Sequence, residues 1–488
     1  MTPPRALARL TLVLPLALAL AAPAARASDA AAGKVPITTA SADARAAYLQ
    51  GRDLAERLRG QEARAHYEKA VAADPGFALA WLGLANTQGS AREFFAKLDK
   101  AVALEARVSE GERLMIRGAD AGGKGDTATQ VQSYEELVQK YPNDERALLL
   151  LANVHFGAQR YADALALYER AAQIAPGFSQ IYNQMGYSYR FLGDMKKAEA
   201  AFKKYTEVLP DDPNPWDSYA ELLLKLGRFD EAIAQYRKAL AVRSDFVNSR
   251  YGIATCLDLQ GKGAEARKEL DAALAGAADD GQRRAALFAK TVSWVHEGNF
   301  TAAQAEMARQ LALAEKNQSP LDMAGDLVAM GDLALAAGDV AAAEGHYKKA
   351  ADTVEAAPDG AAANKENQRR FAIYNRAKVA LAKGDLAAAM QESAALTRAV
   401  ADSGNPFQQR MGHEVAGRVA LAEKQWETAI TELGAANQNN PYNRYRLSKA
   451  YAGKGDAARA KELADSARND NTLTNLQFAL VRQKMKAG

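Results

Sequence analysis

Five histidines, one cysteine and a few carboxylate pairs are the side chains of this chain that could do chemistry. The histidines are His66, His155, His296, His346 and His413. No two stand at metal-ligand spacing, and none has a second ligand nearby in sequence, so each reads as a solvated or core imidazole. Asp211-Asp212 and Asp279-Asp280 fall in turns and read as solvated groups or helix caps rather than an acid/base pair. Cys256 shares an apolar helical stripe with Ile253 and Leu257, which makes it a buried, inert thiol. One cysteine excludes an internal disulfide. There is no phosphate-loop pattern and no nucleophile elbow. The glycines of DPGFALAWLGLA, residues 74–85, belong to a repeat described below. The sequence therefore offers no catalytic residue, no metal site and no cofactor site, and function must lie in shape.

The composition is globular and helix-prone. The 488 residues are 48% hydrophobic and 25% charged, with only 7% aromatic. Arg5 and Arg9 precede an apolar run from Leu10 to Ala22, and Ala25-Arg26-Ala27 follows as a small-x-small cleavage site. The run is shorter than the roughly 20 residues of a spanning helix, and Pro15 and Pro23 interrupt it. Residues 1–27 are thus expected to be a signal peptide cleaved after Ala27, giving an exported protein, periplasmic or secreted, with no membrane span afterwards. Of 62 basic and 59 acidic residues, that segment holds three arginines and no acid. Its removal leaves 59 against 59. A neutral chain without a basic block lacks the electrostatic footprint of a nucleic-acid binder.

A period organises the rest. Small residues recur at Gly51, Ala85, Gly118, Ala152, Gly186, Ala220 and Ala254, in steps of 34 or 33. Twelve residues after most of them stands an alanine: Ala63, Ala164, Ala198, Ala232 and Ala266. Four further on comes a ring: Tyr67, Tyr134, Tyr168, Phe202 and Tyr236. Pro75, Pro142, Pro176 and Pro210 close their units. Such a unit holds two helices, A and B, and two turns. Glycine inside a helix costs about 1 kcal/mol against alanine, so Gly186 and Ala198 are expected where A and B cross most closely, with the ring filling the space beside them. Gly193-Asp194 makes the turn between the helices, and Pro210, with no N–H to donate, ends helix B.

Tyr182, Gly186, Tyr189, Ala198, Phe202 and Pro210 together resemble the tetratricopeptide repeat (TPR) motif, with Trp81 and Trp216 at the early aromatic place of their own repeats. The resemblance implies an all-α fold, an α-α solenoid (TPR superhelix) of about twelve helix-turn-helix repeats. Past residue 280 the spacing loosens. Thr291, Gly331, Ala377, Gly417 and Ser448 take the small-residue place at steps of 40, 46, 40 and 31. The expected organisation is a signal peptide (1–27), a flexible lead-in (28–43), a regular array (44–280), a longer, degenerate array (281–474) and a C-terminal capping helix (475–488). Leu473, Leu476, Leu480 and Met485 lie near one face of that last helix, which would cover the final apolar surface of an open solenoid.

In the family, helix A lines a concave groove through the second, fifth, ninth, twelfth and thirteenth places of each repeat. Carried onto the central repeats, those places give a peptide-binding groove of Arg146, Asn153, Asn183, Tyr187, Arg190, Asp217, Glu221, Lys225, Asn248 and Tyr251. Amides, rings and charges of this kind hydrogen-bond an extended backbone and stack on its side chains. Asp217 and Glu221 beside Arg190 disfavour capture of a lone carboxylate and favour a partner of mixed charge. The resemblance implies a non-catalytic scaffold or adaptor for a protein or peptide. Two other readings are an accessory or regulatory subunit of an envelope, secretion or polysaccharide-handling enzyme complex, and an enzyme hidden in the irregular second half.

Overall fold

The computed structural model describes residues 33–357, 362–401 and 405–487. The expected signal peptide and the start of the lead-in lie outside them. The described residues fold into 25 α-helices and one short 3-10 turn, with no strand among them. Each helix within a unit packs on its neighbour in sequence. This is an all-α solenoid of helix pairs, A helices carrying odd numbers and B helices even.

Two compact units divide the chain, residues 1–197 and 198–488. The first holds α1 (Ala42–Glu56), α2 (Gly60–Ala73), α3 (Ala78–Ala85), α4 (Ala91–Val102), α5 (Glu110–Gly123), α6 (Thr127–Lys140), α7 (Glu145–Gly157), α8 (Tyr161–Ile174) and α9 (Ser179–Phe191). The division falls inside α10 (Met195–Val208). The second unit continues with α11 (Pro213–Lys225), α12 (Phe229–Val242), α13 (Val247–Leu259), α14 (Gly263–Ala275), α15 (Asp280–Glu297), α16 (Phe300–Lys316), α17 (Pro320–Ala337) and α18 (Val340–Glu355). It ends with α19 (Ala362–Lys383), α20 (Leu386–Ala401), α21 (Pro406–Ala422), α22 (Trp426–Ala435), α23 (Pro441–Lys454), α24 (Ala457–Arg468) and α25 (Leu476–Ala487). Helix length changes where the sequence period does: α13 and α14 have 13 residues each, whereas α15 and α17 have 18.

Local chemistry sets the helix ends. Ser109 accepts from the Glu112 N–H while the Glu112 carboxylate accepts from the Ser109 N–H, a reciprocal cap at the start of α5. Asp144, Asp279 and Asn299 cap α7, α15 and α16 the same way with one side-chain oxygen. Pro142 and Pro176 follow α6 and α8 by two residues, as expected of B-helix terminators. The A-to-B turn needs one left-handed residue. Gly193, Gly227 and Gly261 supply it at φ 84°, 76° and 78°, but 34 residues before Gly193 the same place is held by Gln159 at φ 60°.

The small-residue places are contact points. A Cβ on Gly51 would stand 3.0 Å from the Tyr67 ring, and one on Gly118 would stand 2.2 Å from Tyr134. In the second unit a Cβ on Gly331 would meet Tyr347 at 2.4 Å, and one on Gly417 would meet Leu433 at 2.7 Å. Thr291, Ala377 and Ser448, at the equivalent places, are buried. The ring also reaches onward: a Cβ on Gly83, in the next A helix, would lie 2.6 Å from the same Tyr67. One aromatic side chain thus packs both halves of a pair and joins that pair to the next.

The segment before α1 is held along the first unit by polar contacts. The Val35 N–H donates to Asp144 Oδ2 at 2.8 Å and the Thr38 N–H to Glu112 Oε1 at 2.7 Å. Lys34 pairs with Glu145, and Thr39 donates to Asp74. Ile37 is buried in the cluster that contains Tyr48 and Phe77. Residues 34–39, expected within a flexible lead-in, are therefore an extended strip laid across the caps of successive A helices. The carboxylates that receive it are in part the cap groups themselves, Asp144 and Glu112.

Candidate functional site

Helix periodicity puts Asn183, Tyr187 and Arg190 on one face of α9, at i, i+4 and i+7. Asn183 is buried and its Oδ1 has no hydrogen-bond partner among the described residues. The Arg190 guanidinium stands 5.7 Å over the Tyr187 ring. Two other predicted groove residues of the first unit serve the array itself. Arg146 forms a two-pronged bond to Glu56, at 2.6 and 2.9 Å, and lies over the Phe178 ring. Burial alone would lower its pKa, and the Glu56 carboxylate outweighs that and raises it. Asn153 Oδ1 accepts the Tyr168 hydroxyl at 2.7 Å.

In the second unit Asp217 accepts from Ser249 Oγ at 2.7 Å, and burial pushes its carboxyl up to about 6 despite that bond. Glu221 and Tyr251 are half-buried and Asn248 is exposed. Lys225 pairs with Asp470, from the stretch between α24 and α25.

The ninth place of the later repeats carries charges that the sequence reading did not name. Asp332, Lys378 and Arg418 each follow one of the small residues Gly331, Ala377 and Gly417. Asp332 accepts the Tyr347 hydroxyl at 2.6 Å, repeating the Asn153–Tyr168 contact, and also pairs with Lys378. Burial pulls the Lys378 ammonium pKa down against the pull of Asp332. Its Nζ stands 4.5 Å from the Tyr347 ring centroid. Glu414 accepts from the Tyr374 hydroxyl at 2.7 Å, Arg446 at 2.9 Å and Asn443 at 3.1 Å. Burial works to raise the Glu414 pKa, and the Arg446 and Arg418 charges win and lower it. Extending the same groove offsets past residue 280 would have found this ladder.

The C-terminal segment runs along this face. Asp470 accepts from both Lys225 of α11 and Arg444 of α23. Thr474 Oγ1 lies 3.2 Å from Thr255 Oγ1 on α13, and Gln477 donates to Asp332 on α17 at 2.8 Å. Helix α25 packs on α23 and α24, as a cap on the last pair would, and it also packs on α15 and α17. Leu476, Ala479 and Leu480 join Val292, Val295, Met307 and Leu333 in one buried cluster. The two array helices it packs on most beyond the last pair, α15 and α17, are both A helices, so the second unit bends round its own C-terminal helix. A small recess of about 10 Å³, room for about one water, remains beside it, lined in part by Thr255, Asp258, His296, Thr472, Phe478 and Arg482. Burial pushes the Asp258 carboxyl up to about 7, so it is about half protonated at neutral pH, and the His296 ring down to about 3, which holds the imidazole neutral.

Cys256 is buried, and burial pushes its thiol up to about 12, which leaves no thiolate for chemistry. Among the described residues no group of three or more His, Cys, Asp or Glu is placed to hold a metal ion. No described helix is long and apolar enough to cross a membrane.

Two family models match the chain, both described as tetratricopeptide repeat. One covers residues 48–104, 118–177 and 220–283, and the other covers 155–222. Among curated proteins, the general transcriptional corepressor trfA of Dictyostelium discoideum is 25% identical over 134 residues, 27% of this chain and 10% of that protein. The peroxisomal targeting signal receptor of Kluyveromyces lactis is 28% identical over 202 residues, 40% of this chain and 35% of that protein. The chain thus spans a tenth of the first relative's length and about a third of the second's. A solved tetratricopeptide repeat protein from Parabacteroides merdae is 18% identical, with 54% of this chain and 99% of that one covered at a TM-score of 0.41. Residues 48–104 and 118–283 match tetratricopeptide repeat models, and helix pairs continue beyond them through the last described pair.

Proposed function

We propose that the protein is a non-catalytic, exported scaffold that holds a protein or peptide partner on the A-helix face of its first unit, at Asn183, Tyr187 and Arg190. One observation carries this reading. Asn183 Oδ1 is a buried acceptor with no partner, on the same helix face as a ring and a guanidinium. An unmade hydrogen bond in a buried place costs about 1–3 kcal/mol, and the N–H of an extended backbone would remove that cost. Arg146 and Asn153 flank the site as framework, because their side chains are already committed to Glu56 and Tyr168. Asp217, Glu221, Lys225, Asn248 and Tyr251 belong to the second unit, where Lys225 is engaged by the chain's own Asp470. Export rests on Arg5, Arg9, the Leu10–Ala22 run and Ala25-Arg26-Ala27.

The test is capture of a partner from an envelope extract by residues 28–488, alongside the Asn183→Ala/Tyr187→Ala variant. A partner bound at least tenfold more weakly by the variant, with helicity and melting unchanged, is the expected result. Equal binding by both proteins would remove the site from α9. Stability is expected to hold because Asn183→Ala deletes an acceptor that the fold leaves unused.

A further inference from the structure

The way the second unit holds residues 469–487 has the features of a receptor holding a ligand. The segment makes three kinds of contact. A carboxylate, Asp470, sits between Lys225 and Arg444. An aliphatic face, Leu476, Ala479 and Leu480 at i, i+3 and i+4, enters the Val292/Val295/Leu333 cluster. Amide donors follow, Gln477 to Asp332 and Gln483 to the His296 carbonyl. This is the pattern by which grooves read an amphipathic helix.

The segment also uses the site incompletely. Asp470 reaches Arg444 through Nη2 alone, and the Arg444 Nε is buried with no hydrogen-bond partner. A guanidinium is built for a two-pronged carboxylate bond, so the site has one donor more than its occupant satisfies. The charged groups of the wall keep partners of their own when the segment leaves. Asp332 keeps Tyr347 and Lys378, and Glu414 keeps Tyr374, Asn443 and Arg446. Residues 469–475, between α24 and α25, contain no helix.

We propose that the inner face of the second unit is a binding site for an amphipathic helix bearing a carboxylate, and that residues 469–487 are its displaceable intramolecular occupant. This extends the scaffold reading to a second, self-covered site. The incoming helix carries a glutamate or aspartate for Lys225 and Arg444, and an aliphatic i, i+3, i+4 face beginning about six residues later. A tethered occupant competes at an effective concentration in the millimolar range, so the site is closed until a better-fitting helix arrives.

The probe is a fluorescent synthetic peptide of residues 469–487, added in trans to the full chain, residues 28–488, and to its Asp470→Lys variant. The variant sets a cation against Lys225 and Arg444 and so releases its own segment. The expected result is binding at least tenfold tighter by the variant than by wild type. A peptide carrying Asp470→Glu, long enough to reach Nε, is expected to bind at least threefold tighter than the parent, and one carrying Leu480→Asp at least tenfold more weakly. A folded variant that binds the peptide no better than wild type would overturn the proposal. A wild-type dimer that the variant loses would put a second copy's segment in the site, and would overturn the external partner.

Amide hydrogen exchange on the unmodified protein decides the case even if the variant does not fold. Amides of 476–487 exchanging at least tenfold faster than those of α15 support an occupant that leaves. Equal protection would make the segment a permanent part of the core. The two sites fail separately: Tyr187→Ala leaves peptide binding unchanged, and loss of peptide binding leaves the α9 reading standing.

Discussion

The two units hold the segments at their outer ends by opposite means. In the first, residues 34–39 lie extended across helix caps, fixed mainly by backbone N–H groups and hydroxyls given to Asp144, Glu112 and Asp74. In the second, α25 is a helix whose aliphatic face enters a buried cluster, pinned by one carboxylate between two cations. The difference follows from what each array offers. Short pairs present cap carboxylates from successive repeats, which suits a strip of backbone N–H and hydroxyl donors. Longer pairs that bend round a common centre present an apolar, charged inner face, which suits a helix. The same repeat therefore makes two kinds of contact surface.

Five substitutions test that contrast. The largest effect is expected from Glu414→Ala, which strands Arg446 and Arg418 beside a buried tyrosine and should cost about 3–5 kcal/mol. Arg146→Ala, which breaks the partly buried Glu56 pair of the first unit, should cost less, because more of that pair reaches solvent. Equal losses in urea unfolding would erase the distinction between a buried ladder and a surface clasp. Next come Gly118→Leu and Gly331→Leu, which drive a side chain into Tyr134 and Tyr347. Each should cost about 1–3 kcal/mol by overpacking. Gly331→Leu should lie at the upper end because displacing Tyr347 also breaks its bond to Asp332. Wild-type stability in either would refute the contact. The smallest effect has the opposite sign. Gln159→Gly relieves a left-handed backbone that Gly227 and Gly261 already accommodate in the second unit. It should stabilise the protein by about 1 kcal/mol, read as a raised urea midpoint.

Much of this fold was legible because its main contacts are local. The spacing of Gly118 and Tyr134, or of Gly331 and Tyr347, is a helix-pair distance, and the period displays it repeatedly. The prolines after α6 and α8 and the glycine turns are equally local signals. The candidate site was legible in part. Asn183, Tyr187 and Arg190 do share a face, whereas Asn153 and Arg146 are spent on Tyr168 and Glu56. The ladder of Asp332, Lys378 and Arg418 was within reach, since it obeys the offsets used earlier in the chain. Two features were out of reach. Val35 meets Asp144 across 109 residues, and Lys225 meets Asp470 across 245. No periodicity encodes a pairing made once.

That last pairing changes the order in which the second unit can be completed during synthesis. A solenoid whose pairs touch only their neighbours can assemble as it emerges, each repeat settling on the one before. Here Val292, Val295 and Leu333 wait for Leu476, Ala479 and Leu480, about 150 residues further along the chain. At ~5–20 residues per second, a ribosome leaves that apolar surface uncovered for roughly 8–30 s. The nascent chain is therefore most in need of a chaperone near its finish, after most of its repeats have already formed.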